Sequence, residues 1–421
     1  MNKITFPQQN ILIDVAFYDD VEEKKLLTYT TASTMQQLVS NPVSLPTAEF
    51  LTYLLFHRKG PGRPGYKTYK AIGRKLRTAL SILDECITFN GQSISTPPNL
   101  TKQLTEISEH VGEAIGLSII SRIHGLTEAD WSILDSMKGR SALPSFDFQI
   151  ASDGVTFVQV ENKGSSVLDN SAHPPAVKAQ YKKIQDKKYK LANLPTGKND
   201  PYPASLRYGT IVALDPNPNG NVRCWLTDPP PDTIDQNPRN FRVTQRLTFI
   251  HEWISFLSPR SQLSASLSTR LADLKHINNP FDLNRIPLYK GNNDSFEYSI
   301  FGEQNFSFLS NKSRLINKMA GGIVVQFSDT QLMFLGIREE LIQLVASQDF
   351  EDISNYKSES SSKTEQVKCV FSQRRFKTLR LPASMNIESN DMGGYQSFKL
   401  DGVIHFSAAG LVFGLLDLPK E

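Results

Sequence analysis

The stretch from Leu143 to Gly164, LPSFDFQIASDGVTFVQVENKG, constrains this chain most. Phe146 to Ile150 alternates apolar and polar residues, Ser152-Asp153-Gly154 supplies turn chemistry, and Val155 to Val160 resumes as a run rich in β-branched residues and Phe. That pattern predicts a β-hairpin with Asp-Gly at its turn. Strand side chains alternate between faces, so Glu161 and Lys163 share one face and Asn162 points to the other. A register centred on Asp153-Gly154 brings Asp147, on the first strand, close to Glu161. Two carboxylates and a lysine at one sheet end suit a hard cation. Mg2+ is usually bound through one or two carboxylates plus waters. The bound ion lowers the pKa of a water and neutralises charge on a phosphodiester, and a neighbouring lysine can orient that water.

Acid-x-Lys occurs elsewhere, as in Glu22-Glu23-Lys24 and Asp273-Leu274-Lys275, but there it does not follow a strand-turn-strand carrying an acid. The run Asp147, thirteen intervening residues, Glu161-Asn162-Lys163 resembles the PD-(D/E)xK nucleases, the restriction-endonuclease-like superfamily, with the proline displaced to Pro144. The resemblance implies an α/β fold: a restriction-endonuclease-like mixed-sheet core at 101–240, flanked by accessory regions. Residues 1–100 would be an N-terminal accessory region with a basic loop, and 241–421 a C-terminal accessory or recognition region. It also implies metal-dependent hydrolysis of DNA phosphodiester bonds, as in restriction or phage defence, with Mg2+ or Mn2+ as cofactor. Asp147 and Glu161 would hold the ion and Lys163 the attacking water. Relatives bring a Glu from the preceding helix to the metal, for which Glu113 is the candidate here. They also place a Gln, or Gln-x-x-x-Tyr, on the following helix. Gln185 to Tyr189 matches that spacing and Gln180 rivals it. The resemblance leaves open a homodimer or a defence-system partner protein.

The residues around the hairpin predict the rest of such a core. Leu104, Ile107, Val111, Ala114, Ile115, Ile119 and Ile123 form a helical stripe, and Val177, Tyr181, Ile184 and Leu191 form another on a lysine-rich segment from Ala176 to Leu191. Arg207 to Asp215 and Asn221 to Thr227 read as strands. Residues 57–77 carry eight Lys/Arg and no acid. Arg63, Lys67, Lys70 and Arg74 there, with Lys182 and Lys183, are candidates for phosphate contacts. Gln373 to Arg380 is a second basic patch. Asn355 to Lys368 reads as a flexible polar linker and Gly321-Gly322 as a turn.

Composition limits the alternatives. Net charge is +3, so nucleic-acid binding must come from local patches. Three scattered cysteines suggest neither a disulfide framework nor a zinc site. The N-terminus lacks a signal-peptide core, and no apolar run approaches the ~20 residues of a membrane span. A cytoplasmic protein with no membrane contact is expected. A nucleic-acid-binding or assembly protein with a nuclease-like domain that no longer cuts stays open, as does a nuclease acting on RNA or branched DNA.

Overall fold

The computed structural model describes all residues except 1–5, 8, 58–68, 98–102, 134–148, 195–203, 229–236, 275, 277–280, 282, 284–306, 311–317, 373–378, 390–394 and 420–421. Residues 9–58 and 81–242 make one compact unit; residues 1–8, 59–80 and 243–421 make the other.

The first unit is mixed α/β. Its chain order is β1 (Ile11–Phe17), α1 (Asp20–Leu26), α2 (Ala32–Ser40), β2 (Val43–Leu45) and α3 (Thr47–Thr52). After α4 (Tyr69–Cys86), which has residues in both units, come β3 (Thr88–Asn90), β4 (Ser93–Ser95), α5 (Gln103–His124), β5 (Ser132–Ile133), β6 (Gln149–Ser152), β7 (Phe157–Ser166), α6 (Pro175–Ala192), β8 (Leu206–Leu214) and β9 (Val222–Thr227). Seven strands form one sheet in the order β2-β1-β9-β8-β7-β6-β5. Pairs β7–β8 and β1–β9 are parallel and the others antiparallel, so the sheet is mixed. The N-terminal strands β1 and β2 thus belong to the same sheet as the hairpin.

The hairpin forms over this run, but Ser152 pairs with Phe157, so its register is centred on Gly154-Val155 rather than on Asp153-Gly154, and Val155 and Thr156 belong to the turn instead of the second strand. Its turn is held by Asp153, whose carboxylate accepts from the backbone N–H groups of Val155 and Thr156 and from the Thr156 hydroxyl. Asp153 also contacts His124 Nδ1 at 3.2 Å, and His124 Nε2 lies 3.0 Å from the Tyr208 hydroxyl. Burial alone would raise the Asp153 pKa, but the hydrogen bonds from His124, Thr156 and Val155 outweigh it and hold the carboxyl well below the usual range.

Helices cover both faces of this sheet. α5 is buried through Val111, Ile115, Leu117, Ile119 and Ile120, and it lies close because glycines meet at the contact. A Cβ on Gly112 would fall 2.6 Å from the Gly164 Cα, and one on Gly164 would fall 1.7 Å from the Ser108 carbonyl oxygen. On the opposite face, α6 lays Val177, Ile184 and Leu191, one residue in seven, against Ile211, Ala213 and Trp225.

The second unit contains α7 (Pro238–Leu257, its first residues in the α/β unit), α8 (Gln262–Leu274) and a closed antiparallel barrel. The barrel strands are β10 (Ser307–Ser310), β11 (Lys318–Gln326), β12 (Gln331–Arg338), β13 (Ser361–Ser372), β15 (Tyr395–Phe406) and β16 (Leu411–Asp417); β14 (Glu388–Ser389) adds to β15. Helices α9 (Glu339–Ser347) and α10 (Phe350–Asn355) follow β12. The order β13-β10-β11-β12-β16-β15 closes because β15 also pairs with β13. Leu309, Phe334, Phe371, Phe398 and Ile404 belong to its core.

Two expectations fail in this unit. The linker expected over Asn355–Lys368 gives way to strand from Ser361 onward, where all twelve residues of β13 pair with β15. Its polar composition reflects the exposed half of a strand whose apolar half, Val367, Cys369 and Phe371, completes the core. Gly321-Gly322 is no turn but lies within β11, with Gly322 opposite Gly336 of β12. Most of the second basic patch, residues 373–378, lies outside the described residues.

Candidate functional site

The α6 face of β7 carries a polar stripe. Alternation sets Gln159, Glu161, Lys163 and Ser165 on this face and Asn162 on the other, where the Asn162 Oδ1 accepts from Thr210. Glu161 is fully buried. Its Oε1 receives Lys163 Nζ at 2.5 Å and also Lys187 Nζ from α6. The Lys163 side chain is 19% and that of Lys187 31% exposed, whereas the Glu161 side chain is not exposed at all.

The neighbouring strand makes room for this. Glu161 is in register with Gly209 of β8, and Gly209 with Thr227 of β9. A Cβ on Gly209 would lie 3.0 Å from Ile184 and 2.1 Å from the Thr227 hydroxyl, so its absence lets α6 settle low enough for Lys187 to reach Glu161. Gln159 Oε1 and Ser165 Oγ on this face of β7, Gln180 Oε1 on α6 and Thr227 Oγ1 on β9 are buried without a partner among the described residues. Buried polar atoms are rarely left so.

A second polar cluster lies beside α1. The buried Glu22 accepts from the Tyr181 hydroxyl at 2.9 Å, Lys25 at 3.2 Å, Gln185 Nε2 at 3.4 Å and the Asp228 backbone N–H at 2.6 Å. Lys188 donates to the Asp228 carbonyl and Tyr29 to its carboxylate. Burial lowers the Lys188 pKa and raises that of Asp228. Every acceptor of Glu22 is occupied, which makes this cluster a clamp between α1, α6 and the end of β9. It also separates the two glutamines: Gln185 turns to Glu22, whereas the Gln180 Oε1 remains unpartnered.

The other expected residues fall as follows. Glu113 is buried on α5, next to the Gly112 that rests on Gly164. Asp147, Arg63 and Lys67 lie outside the described residues. Lys70 is in the first turn of α4, and Arg74 is exposed further along it, in the segment that belongs to the barrel unit. Lys182 and Lys183 are on the exposed side of α6, away from Glu161. The α6 lysine that does reach the carboxylate is Lys187, three residues after Ile184. Its signal was available: the stripe Val177, Ile184, Leu191 defines the sheet-facing side, and Lys187 borders it.

Among the described residues, no three of His, Cys, Asp and Glu gather as a metal centre, and no helix is long and apolar enough to cross a membrane. No family model matches this chain, and neither does any curated protein or solved structure. By its own fold the chain comprises a mixed α/β unit, built around a buried carboxylate shared by two lysines, and a separate closed β-barrel.

Proposed function

We propose that the α/β unit is a PD-(D/E)xK-type nuclease that hydrolyses DNA phosphodiester bonds with a divalent cation, Mg2+ or Mn2+. The observation that carries this reading is the Glu161–Lys163 pair, set on one face of one strand with the carboxylate fully buried. A buried ion pair contributes little to stability compared with apolar residues of similar volume, so chemistry accounts better for its presence than folding does. The order of elements supports the same reading: α5, the antiparallel run β5–β6–β7, the crossover α6 and then β8 parallel to β7 is the order expected of a restriction-endonuclease-like core.

The donors fit a hard cation in kind, since Glu161 offers a carboxylate oxygen and Mg2+ needs only one or two carboxylates with waters. Glu113, the second carboxylate that the resemblance implies, is carried by α5 against the opposite face of the sheet from Glu161. When bound, such an ion supplies a water of lowered pKa and offsets phosphate charge. Lys163, partly exposed beside the buried acid, presents its ammonium to the scissile phosphate and orients the attacking water. Glu161 keeps the Lys163 ammonium directed. Gln180 is the glutamine of α6 left to assist. Arg63, Lys67, Lys70 and Arg74 grip the DNA backbone, in a cytoplasmic protein of restriction or phage-defence type.

The direct test is incubation of linear and plasmid duplex DNA with the purified chain, with and without Mg2+. Cleavage is expected only with the ion and is stopped by EDTA. Absence of cleavage on DNA, RNA and branched substrates alike, with binding retained, would leave a nucleic-acid-binding or assembly protein instead. Binding has its own test. Reversing Arg63, Lys67, Lys70 and Arg74 to Glu is expected to weaken affinity for all duplex sequences. Each lost phosphate contact should flatten the log–log salt slope by about 0.9. A slope equal to that of the wild type would make this an ordinary solvated face.

A further inference from the structure

The contact between Glu161 and Lys187 goes beyond the Asp, Glu and Lys of the nuclease reading. Lys163 sits on the same strand as Glu161, two residues away, and is tied to it by the backbone. Lys187 comes from a different element. It is delivered by α6, whose Ile184 packs on Gly209 in register with Glu161. Both ammonium groups occupy the same carboxylate oxygen, Glu161 Oε1. A divalent cation approaching that carboxylate therefore meets repulsion from both. Lys163 is the less exposed of the two, at 19%. Lys187, 31% exposed at the end of a flexible four-carbon stem, has a path to solvent.

We propose that Lys187 is a positioning residue that holds Glu161 in place while no divalent ion is bound and competes with that ion for the carboxylate. The inference rests on the nuclease reading, in which Glu161 is an ion ligand. Displaced from Glu161 by the ion, the Lys187 ammonium stays beside the site, within reach of a non-bridging oxygen of the phosphodiester. The site would then be latched when empty and would expose its second cation only when loaded, coupling ion binding to phosphate binding.

The test is a Mn2+ titration of the full chain without DNA, read from the electron paramagnetic resonance signal of free Mn2+. Lys187→Met is expected to bind Mn2+ at least about tenfold more tightly than the wild type, since a neighbouring charge commonly shifts such an equilibrium by one to three powers of ten. Lys187→Arg, which keeps the charge, is expected to restore wild-type affinity. A lysine that served only to hold the fold would give the opposite sign, weaker binding in Lys187→Met, and that result or unchanged affinity overturns the proposal. Should Lys187→Met not fold, Lys187→Gln carries the same expectation. Glu161→Gln separates the two claims. If it removes Mn2+ binding while Lys187→Met changes nothing, the latch is wrong and the nuclease reading stands. If Mn2+ binding survives Glu161→Gln intact, the ligand assignment fails and the latch fails with it.

Discussion

Lys163→Ala is expected to reduce DNA cleavage by a factor of about 10²–10⁴, the usual contribution of a positioned proton-handling group, and to leave the fold in place. The two halves of that expectation have separate causes. Activity falls because the methyl group of alanine can neither orient a water nor meet charge developing on phosphate. Stability holds because Glu161 would not be left alone: Lys187 still contacts Oε1, so the buried carboxylate keeps a counter-charge. Leaving a buried charge uncompensated costs about 3–5 kcal/mol, and taking away both lysines strips Glu161 of two counter-charges at once. The double variant Lys163→Ala, Lys187→Met should therefore lose far more stability than the sum of the single losses. Cleavage rates and thermal denaturation of the three variants measure both points. Wild-type cleavage by Lys163→Ala would remove the lysine from the chemistry and with it the main support for the nuclease assignment.

Gly164→Ala should be the most damaging single methyl group that can be added to the α/β unit. Its Cβ would fall 1.7 Å from the Ser108 carbonyl oxygen, an atom of the α5 backbone that cannot rotate aside. Accommodating it requires lifting α5 from β7, along a contact that also depends on Gly112. Overpacking typically costs 1–3 kcal/mol when side chains can adjust, and here none can, so a loss at or above about 3 kcal/mol is expected. Gly73→Ala is the control. It lies inside α4, and its nearest contact would be an ordinary 3.8 Å. Alanine there should be neutral or stabilise by up to about 1 kcal/mol through helix propensity. Urea unfolding of both variants provides the comparison. A Gly164→Ala protein with the wild-type midpoint would mean that α5 does not rest on β7 as described.

Much of this molecule was legible along the chain. Period-two alternation with Asp-Gly between the runs announced the hairpin, and β6 pairs with β7, though the register is set one residue later because Asp153 draws Val155 and Thr156 into the turn. The helical stripes of α5 and α6 and the buried run of β8 followed from spacing alone, because burial on one side or both leaves a local periodic trace. Alternation also put Glu161 and Lys163 on one face and Asn162 on the other, and their contacts agree.

What local pattern could not decide was everything set by contacts distant in sequence. A serine-rich, charged segment reads as a linker until a partner strand is known, and β13 is ordered by β15, which lies far along the chain. Two adjacent glycines read as a turn until the facing strand is seen to need the space. Within α6, six lysines look alike; only the seating of Ile184 on Gly209 turns Lys187 toward Glu161 and leaves Lys182 and Lys183 in solvent. Gln180 and Gln185 were likewise equivalent until Glu22, more than 150 residues earlier, took Gln185. Residue types and periods are properties of a short window. Which buried charge meets which partner is decided by the packing of whole elements, because a carboxylate taken out of water must find its counter-charges wherever the fold delivers them.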